Sequence, residues 1–232
     1  MKTIATICAR GGSIGLPNKN ILDFCGKPLI AHTIEQAIKC DFVDEVIVST
    51  DCEKIANISL AFGAKVPFLR PPHLATSEAG KIPVIEHCVD FLRGKGYQIS
   101  KIVDLQPTSP LRNISDIKGC YNLLTEDIDV VYSVTEPSHN PYFSMVEIDA
   151  EGNPKLSKSL DNTIARRQDA PEVYGLNGAV YVWHIHTLKK GLWGGHSKIY
   201  LMPRERSIDI DDRYDFLIAE SLLSRKVNLE VR

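Results

Sequence analysis

Apolar and polar positions along this chain alternate between two spacings, the period of two expected of strands and the period of about 3.6 expected of helices. Lys2 to Cys8 (KTIATIC) predicts a short, partly β-branched strand that breaks at Gly11-Gly12. Leu29, Ile30, Thr33, Ile34, Ala37 and Ile38 fall at helical spacing within Pro28 to Lys39. Glu45 to Thr50 (EVIVST) predicts the next strand and Cys52 to Phe62 the next helix. A helix over Lys81 to Leu92 is followed by the strand Lys101 to Leu105 (KIVDL). Ser115 offers an N-cap for a helix ending near Leu124, and Asp129 to Val134 is a further strand. Strands alternating with helices of this length predict right-handed βαβ units, hence an α/β fold around a mostly parallel sheet.

The pattern changes near Thr135. From Pro137 to Pro171 the chain carries proline, glycine and short alternating runs such as Tyr142 to Ile148, which predicts a β-rich insertion at roughly 137–171. Gly178 to His184 (GAVYVWH) returns as a strand, Ile199 to Met202 is a short one, and Asp211 to Leu223 has the caps and spacing of a final helix. There is no internal repeat, so 1–232 is read as one domain with that insertion.

Composition narrows the partners. Hydrophobic residues make up 44% of the 232 and charged residues 24%, ordinary for a globular chain with a sizeable core. The formal net charge of −2 gives no broad field toward nucleic acid or a membrane, so neither is an expected partner and any anionic ligand must be met by local cations. The apolar run before Arg10 is too short for a signal segment or a span. The six cysteines show no C-x-x-C pair, which argues against a disulfide framework or a cysteine–zinc site and for a cytoplasmic location.

The segment Arg10-Gly-Gly-Ser-Ile-Gly-Leu-Pro-Asn-Lys-Asn20 follows the first strand, where open α/β sheets bind ligands. Its glycines let backbone N–H groups approach phosphate oxygens, the Ser13 hydroxyl adds a donor, and Arg10 and Lys19 flank it with positive charge. A plain turn with two surface cations stays open on spacing alone. Neither G-x-x-x-x-G-K-[ST] nor G-x-G-x-x-G occurs, whereas Gly11 to Gly15 matches the G-x-S-x-G of hydrolase elbows. Leu16-Pro17 is a poor start for the helix that such an elbow needs.

Near the other end, Ser207-Ile-Asp-Ile-Asp211 alternates at strand period, so Asp209 and Asp211 share a face and suit a hard cation such as magnesium. The residues alone leave equally open a solvated strand end with Asp211 or Asp212 capping the last helix. His184 and His186 also share a strand face, but no third ligand follows at a usual zinc spacing, and a structural role is favoured. Leu192-Trp193 sits in a glycine-rich loop and reads as an exposed hydrophobe or a packing contact, and Arg166-Arg167 reads either as solvated charge or as a carboxylate contact.

Taken together, ARGGSIGLPNKN, Leu69-Arg-Pro-Pro72, Gln106-Pro-Thr-Ser-Pro-Leu-Arg112, Arg167 to Pro171 with Asn177-Gly-Ala-Val-Tyr181, and Ser207 to Asp211 resemble, in order, the motifs of the N-acylneuraminate cytidylyltransferases. The resemblance implies a Rossmann-like nucleotidyltransferase fold and a homodimer whose β-rich insertion reaches the partner. It implies magnesium as cofactor, with CTP and a nonulosonic, sialic-acid-like sugar as substrates; CMP passes to the anomeric hydroxyl and pyrophosphate leaves. Carried over by position, Arg10, Ser13, Lys19 and Asn20 hold the CTP phosphates and ribose region, and Arg70 lies near the cytosine. Gln106 and Tyr181 face the sugar, Arg167 and Asn177 line the same cleft, and Asp209 and Asp211 bind magnesium, with Asp211, Arg10 and Lys19 carrying catalysis.

Two positions depart from the family pattern. Ile14 stands where the glycine loop usually has lysine, so charge compensation falls to Arg10, Lys19, magnesium or another residue such as Lys81. Gly175 stands where some members have arginine, which changes the sugar pocket. The alternatives are a KDO cytidylyltransferase, a catalytically idle nucleotide-binding module and, from the G-x-S-x-G match, a serine hydrolase.

Overall fold

The computed structural model describes residues 1–13, 15–161 and 164–230. In chain order the elements are β1 (Lys2–Cys8), β2 (Asp23–Phe24), β3 (Lys27–Pro28), α1 (Leu29–Ile38), β4 (Glu45–Ser49), α2 (Glu53–Ala61), α3 (Lys81–Gly94), β5 (Ile99–Leu105), α4 (Ile114–Leu123), β6 (Val130–Thr135), β7 (Val146–Ile148), β8 (Pro154–Leu156), β9 (Gly175–His184), β10 (Ser197–Leu201) and α5 (Arg213–Glu230). Six strands form the central sheet in the order β10-β6-β9-β5-β1-β4. β9 runs antiparallel to β5 and β6, while the other neighbours are parallel, so the sheet is mostly parallel as the alternating pattern predicts.

Strand alternation divides the core into two layers. Ala5 sits opposite Val46 and Val103, and this face packs on Ile30 and Ile34 of α1 and Ile117 of α4. On the other face Ile4, Ile47 and Ile102 pack on Ile85, Val89 and Leu92 of α3. A third cluster joins the ends of the chain: Phe24 of β2 meets Phe216 of α5 edge-to-face at 5.3 Å, with Leu29 and Ile210 buried beside them. Ile210 is completely buried, and this single anchor holds its neighbours Asp209 and Asp211 next to the amino-terminal loop.

Some elements differ from expectation. The cap of α4 is Asn113, not Ser115: Asn113 accepts the Asp116 amide at 3.1 Å, Asp116 accepts the Asn113 amide at 2.9 Å, and Ser115 only donates to the Asn113 side chain. Asn113→Ala removes one half of this box and is expected to cost about 1 kcal/mol, read as a lower urea midpoint with unchanged slope. The Ser207–Asp211 segment belongs to no strand, because among the described residues its one long-range backbone–backbone hydrogen bond is the Ile210 amide donating to the Thr108 carbonyl at 2.8 Å. Between β6 and β9 the chain forms the β7–β8 hairpin, paired Val146 to Leu156 and Ile148 to Pro154, with Val146 and Ile148 about two-thirds exposed. Among the described residues, no helix is long and apolar enough to cross a membrane.

At the far edge of the sheet, Glu45 accepts hydrogen bonds from Lys2, from Lys65 at 2.9 Å and from Tyr97 at 3.0 Å. Burial alone would raise its pKa, but these donors outweigh it and hold the carboxyl at about 2, below the ordinary 4.5. A folded pKa below the unfolded one stabilises the fold above pH 4.5, and that contribution is lost as pH falls toward 2. Glu45→Gln is therefore expected to be less stable than the parent at pH 7, with the gap closing between about pH 5 and 2 in parallel thermal melts.

Candidate active site

A cleft of about 530 Å³ opens beyond the carboxyl ends of β1 and β5, and residues from both ends of the chain line it. The amino-terminal side is the glycine loop. The Gly11 amide donates to Asp51 at 2.9 Å, and a Cβ on Gly11 would lie 2.9 Å from the Cys52 Cβ, so α2 packs on bare backbone here. Asn18 takes a positive φ of 56° and turns the chain into a short 3-10 helix, Lys19–Ile21. Asn20 is buried and ties the turn back through its side-chain amide to the Arg10 carbonyl at 3.2 Å. Arg10 and Ser13 line the cleft, and neither side chain makes a hydrogen bond among the described residues, so their donors are available to an anion. Ile14, the departure from the family's lysine, lies outside the described residues.

The carboxyl-terminal side brings the acids. Lys19 Nζ donates to the Ile210 carbonyl and, at 3.0 Å, to the Asp211 carboxylate, crossing directly between the two chain ends. Gly15 packs so closely that a Cβ there would sit 2.4 Å from the Asp211 carbonyl oxygen. Capping of α5 falls to Asp212, which accepts the Tyr214 and Asp215 amides at 2.7 and 3.0 Å, leaving the Asp211 carboxylate in the cleft and 78% exposed. Asp209 accepts the Gln106 side-chain amide at 3.2 Å through one oxygen; its other oxygen is buried with no partner. Burial, with the like charge of Asp211 adding to it, raises the Asp209 pKa.

These acids fit a magnesium ion. One offers a buried oxygen lacking a donor, the other an accessible carboxylate, and magnesium takes one or two carboxylates with phosphate and water filling the remainder. No group of three or more His, Cys, Asp or Glu among the described residues is placed to hold a metal ion by itself.

The other expected residues are divided by the structure. Arg70 lines the cleft, but its guanidinium is buried and donates to the Ser49 hydroxyl and carbonyl and to the Leu74 carbonyl. Gln106 lines the cleft beside Asp209. Tyr181 is buried under Lys81, whose ammonium lies 4.3 Å above the ring. Asn177 is turned inward: its side chain bonds Ser133 at 2.6 Å and Ser207 at 3.0 Å, bracing β9 rather than lining the cleft. Arg167 lies in a separate cleft with Pro137 and Tyr174 and donates to the Pro137 carbonyl at 3.2 Å, because it belongs to the 3-10 turn Arg167–Asp169 ahead of β9. Gly175 opens β9 opposite Thr135. His184 meets the Thr125 carbonyl at 3.1 Å, and Trp193 is 74% exposed with its ring edge toward Tyr132.

One pair escaped the motif reading. Lys81, the first residue of α3, donates to Asp104 at 2.6 Å, and Asp104 on β5 is only 1% exposed. The signal was a lone carboxylate inside the apolar run KIVDL, a placement that demands a partner. Among the described residues lining this cleft there is no histidine beside Ser13.

Comparison with known proteins gives the family of the chain and agrees with its fold. Residues 4–222 match the cytidylyltransferase family. The chain is 33% identical to the post-translational flagellin modification protein B of Campylobacter coli, covering 99% of this chain and 97% of that one. It is 34% identical to the CMP-N,N'-diacetyllegionaminic acid synthase of Campylobacter jejuni, covering 96% and 95% respectively. Its fold superposes with a TM-score of 0.73 on the structure of CMP:2-keto-3-deoxy-manno-octonic acid synthetase complexed with CTP, at 19% identity over 97% of this chain and all of that one. With the match extending over nearly its whole length, this chain belongs to the cytidylyltransferase family.

Proposed function

We propose that this enzyme transfers CMP from CTP to the anomeric hydroxyl of a nonulosonic acid, releasing pyrophosphate. The observation that carries this reading is the bridge from Lys19 to Asp211, which joins a cation-flanked glycine loop to an accessible carboxylate in one cleft, with Asp209 behind it on the lining residue Gln106. The similarity to a legionaminic acid CMP synthase favours a nonulosonic acid over the shorter KDO as acceptor.

Arg10, the Ser13 hydroxyl and the loop amides bind the triphosphate oxygens, and Lys19 stands beside them. Asp209 and Asp211 would hold the magnesium, which when bound supplies Lewis-acid neutralisation of phosphate charge. Gln106 keeps Asp209 oriented through its 3.2 Å hydrogen bond, and Gly178, at φ +70°, has no Cβ to strike the Gln106 side chain. The sugar hydroxyl oxygen loses its proton to solvent and forms a bond to the α-phosphorus as the bond to the bridging oxygen of pyrophosphate breaks. The protein's contribution is alignment of the two reactants and fixed positive charge where the pyrophosphate leaves.

The reading extends to a homodimer. The β7–β8 hairpin projects Val146, Ile148 and Leu156 to solvent, an apolar stripe that suits burial against a second copy, with Trp193 a candidate to wall the partner's sugar site. Six free thiols fit a cytoplasmic location.

Incubation with CTP, magnesium and a panel of nonulosonic acids tests the activity. Pyrophosphate release that requires CTP, the acid and the metal together is expected. Release without any acid, or equal release with all four nucleoside triphosphates, would contradict it.

A further inference from the structure

The cleft contains four cations, and three have visible employment. Arg10 and Lys19 flank the glycine loop, and the buried Arg70 guanidinium commits three of its five N–H donors to the Ser49 hydroxyl and carbonyl and the Leu74 carbonyl. Lys81 is the fourth. Its ammonium carries three N–H donors, of which one goes to Asp104 at 2.6 Å; the side chain is 31% exposed toward the cleft. Below it Asp104 is closed to solvent, with its other oxygen accepting from the Thr6 hydroxyl at 2.9 Å. On a third side lies the Tyr181 ring at 4.3 Å. A lysine head is ordinarily mobile on its four-carbon stem; this one is fixed from two directions, the arrangement of a preorganised donor. A buried ion pair is weak evidence of stability, so its presence in a cleft floor calls for another explanation.

The acceptor supplies one. A 2-keto sugar acid carries a carboxylate beside the anomeric carbon, and that charge needs a cation away from the phosphate-binding loop. Arg167, the residue expected to provide it, stands in a different cleft. We propose that Lys81 is a specificity-determining residue, its ammonium set by Asp104 and Tyr181 to meet the carboxylate of the acceptor sugar acid. Asp104 and Tyr181 act through Lys81 as positioning residues. This assignment rests on a nonulosonic acid being the acceptor.

The test compares that acid with its methyl ester, using the parent enzyme, Lys81→Met, Lys81→Arg and the double variant Lys81→Met/Asp104→Asn, which leaves no unpaired buried carboxylate. For the parent, the ester is expected to be a poorer acceptor than the acid. Lys81→Met and the double variant are expected to raise KM for the acid by about 10- to 100-fold, with KM for CTP within about twofold of the parent. They should also lose most of the discrimination between acid and ester, and Lys81→Arg should recover part of both. An unchanged KM for the acid in the folded double variant overturns the proposal. So does a rise confined to KM for CTP, which would assign Lys81 to the nucleotide. A parent enzyme that uses CTP with none of the acids overturns the acceptor reading itself, a result distinct from a parent that is active and indifferent to Lys81.

Discussion

Asp211→Ala is expected to lower kcat/KM by about a hundredfold or more while the protein melts within a degree or two of the parent. The two halves of this expectation have separate causes. Asp211 contributes little to the fold, since its carboxylate is 78% exposed and exposed ion pairs such as that with Lys19 add little stability. The capping of α5 belongs to Asp212 and survives the change. For the reaction the same carboxylate is central, because it is the accessible member of the acid pair and the only one in contact with Lys19. Its loss leaves Asp209 alone to hold a divalent ion and leaves Lys19 tied across the cleft by the Ile210 carbonyl only. Pyrophosphate release under saturating substrates, set beside a thermal melt of the same preparation, checks both halves. Near-parental turnover would remove Asp211 from the mechanism.

Gly15→Ala is expected to be nearly as damaging, through geometry instead of charge. The new methyl group would sit 2.4 Å from the Asp211 carbonyl oxygen, where ordinary contact begins at about 3.4 Å. That oxygen belongs to backbone and cannot swing aside as a side chain would, so the glycine loop and the acid pair must part by about 1 Å. A displacement of that size in an aligned site costs on the order of a hundredfold. The expected result is a fall in kcat/KM with circular dichroism unchanged, and a smaller loss in a parallel Gly12→Ala variant, whose Cβ would meet nothing within 4 Å. Equal effects from the two substitutions would show that the contact across the cleft is not what constrains the loop.

The sheet was readable in the sequence because its signals are local. Lys2 to Cys8 and Glu45 to Ser49 carry short, largely β-branched runs, and the helix between them shows apolar residues at 3.6 spacing. The loop motif and the acid pair were also visible, since each is short and has a characteristic composition. That they share a cleft was not, because their meeting depends on Ile210, Phe24 and Phe216 packing together across nearly the whole chain. Three features misled. Ser115 has a good capping side chain, yet Asn113 two residues earlier forms a reciprocal pair with Asp116. The alternation in Ser207 to Asp211 is real, with Ile210 buried between the acids, but alternation alone does not supply a neighbouring strand. Asn177 and Arg167 flank β9 in sequence, whereas in space one faces inward to Ser133 and the other belongs to the insertion. Lys81 and Asp104 lie 23 residues apart, and only the fold reveals them as a pair.

The most direct measurement is a crystal structure with CTP and manganese in place of magnesium, located by its anomalous scattering. The account predicts a single strong peak between the Asp209 and Asp211 carboxylates, with the triphosphate lying along Arg10 to Asn20 and touching that ion. A triphosphate bound away from the glycine loop, or a metal held by neither aspartate, would contradict it.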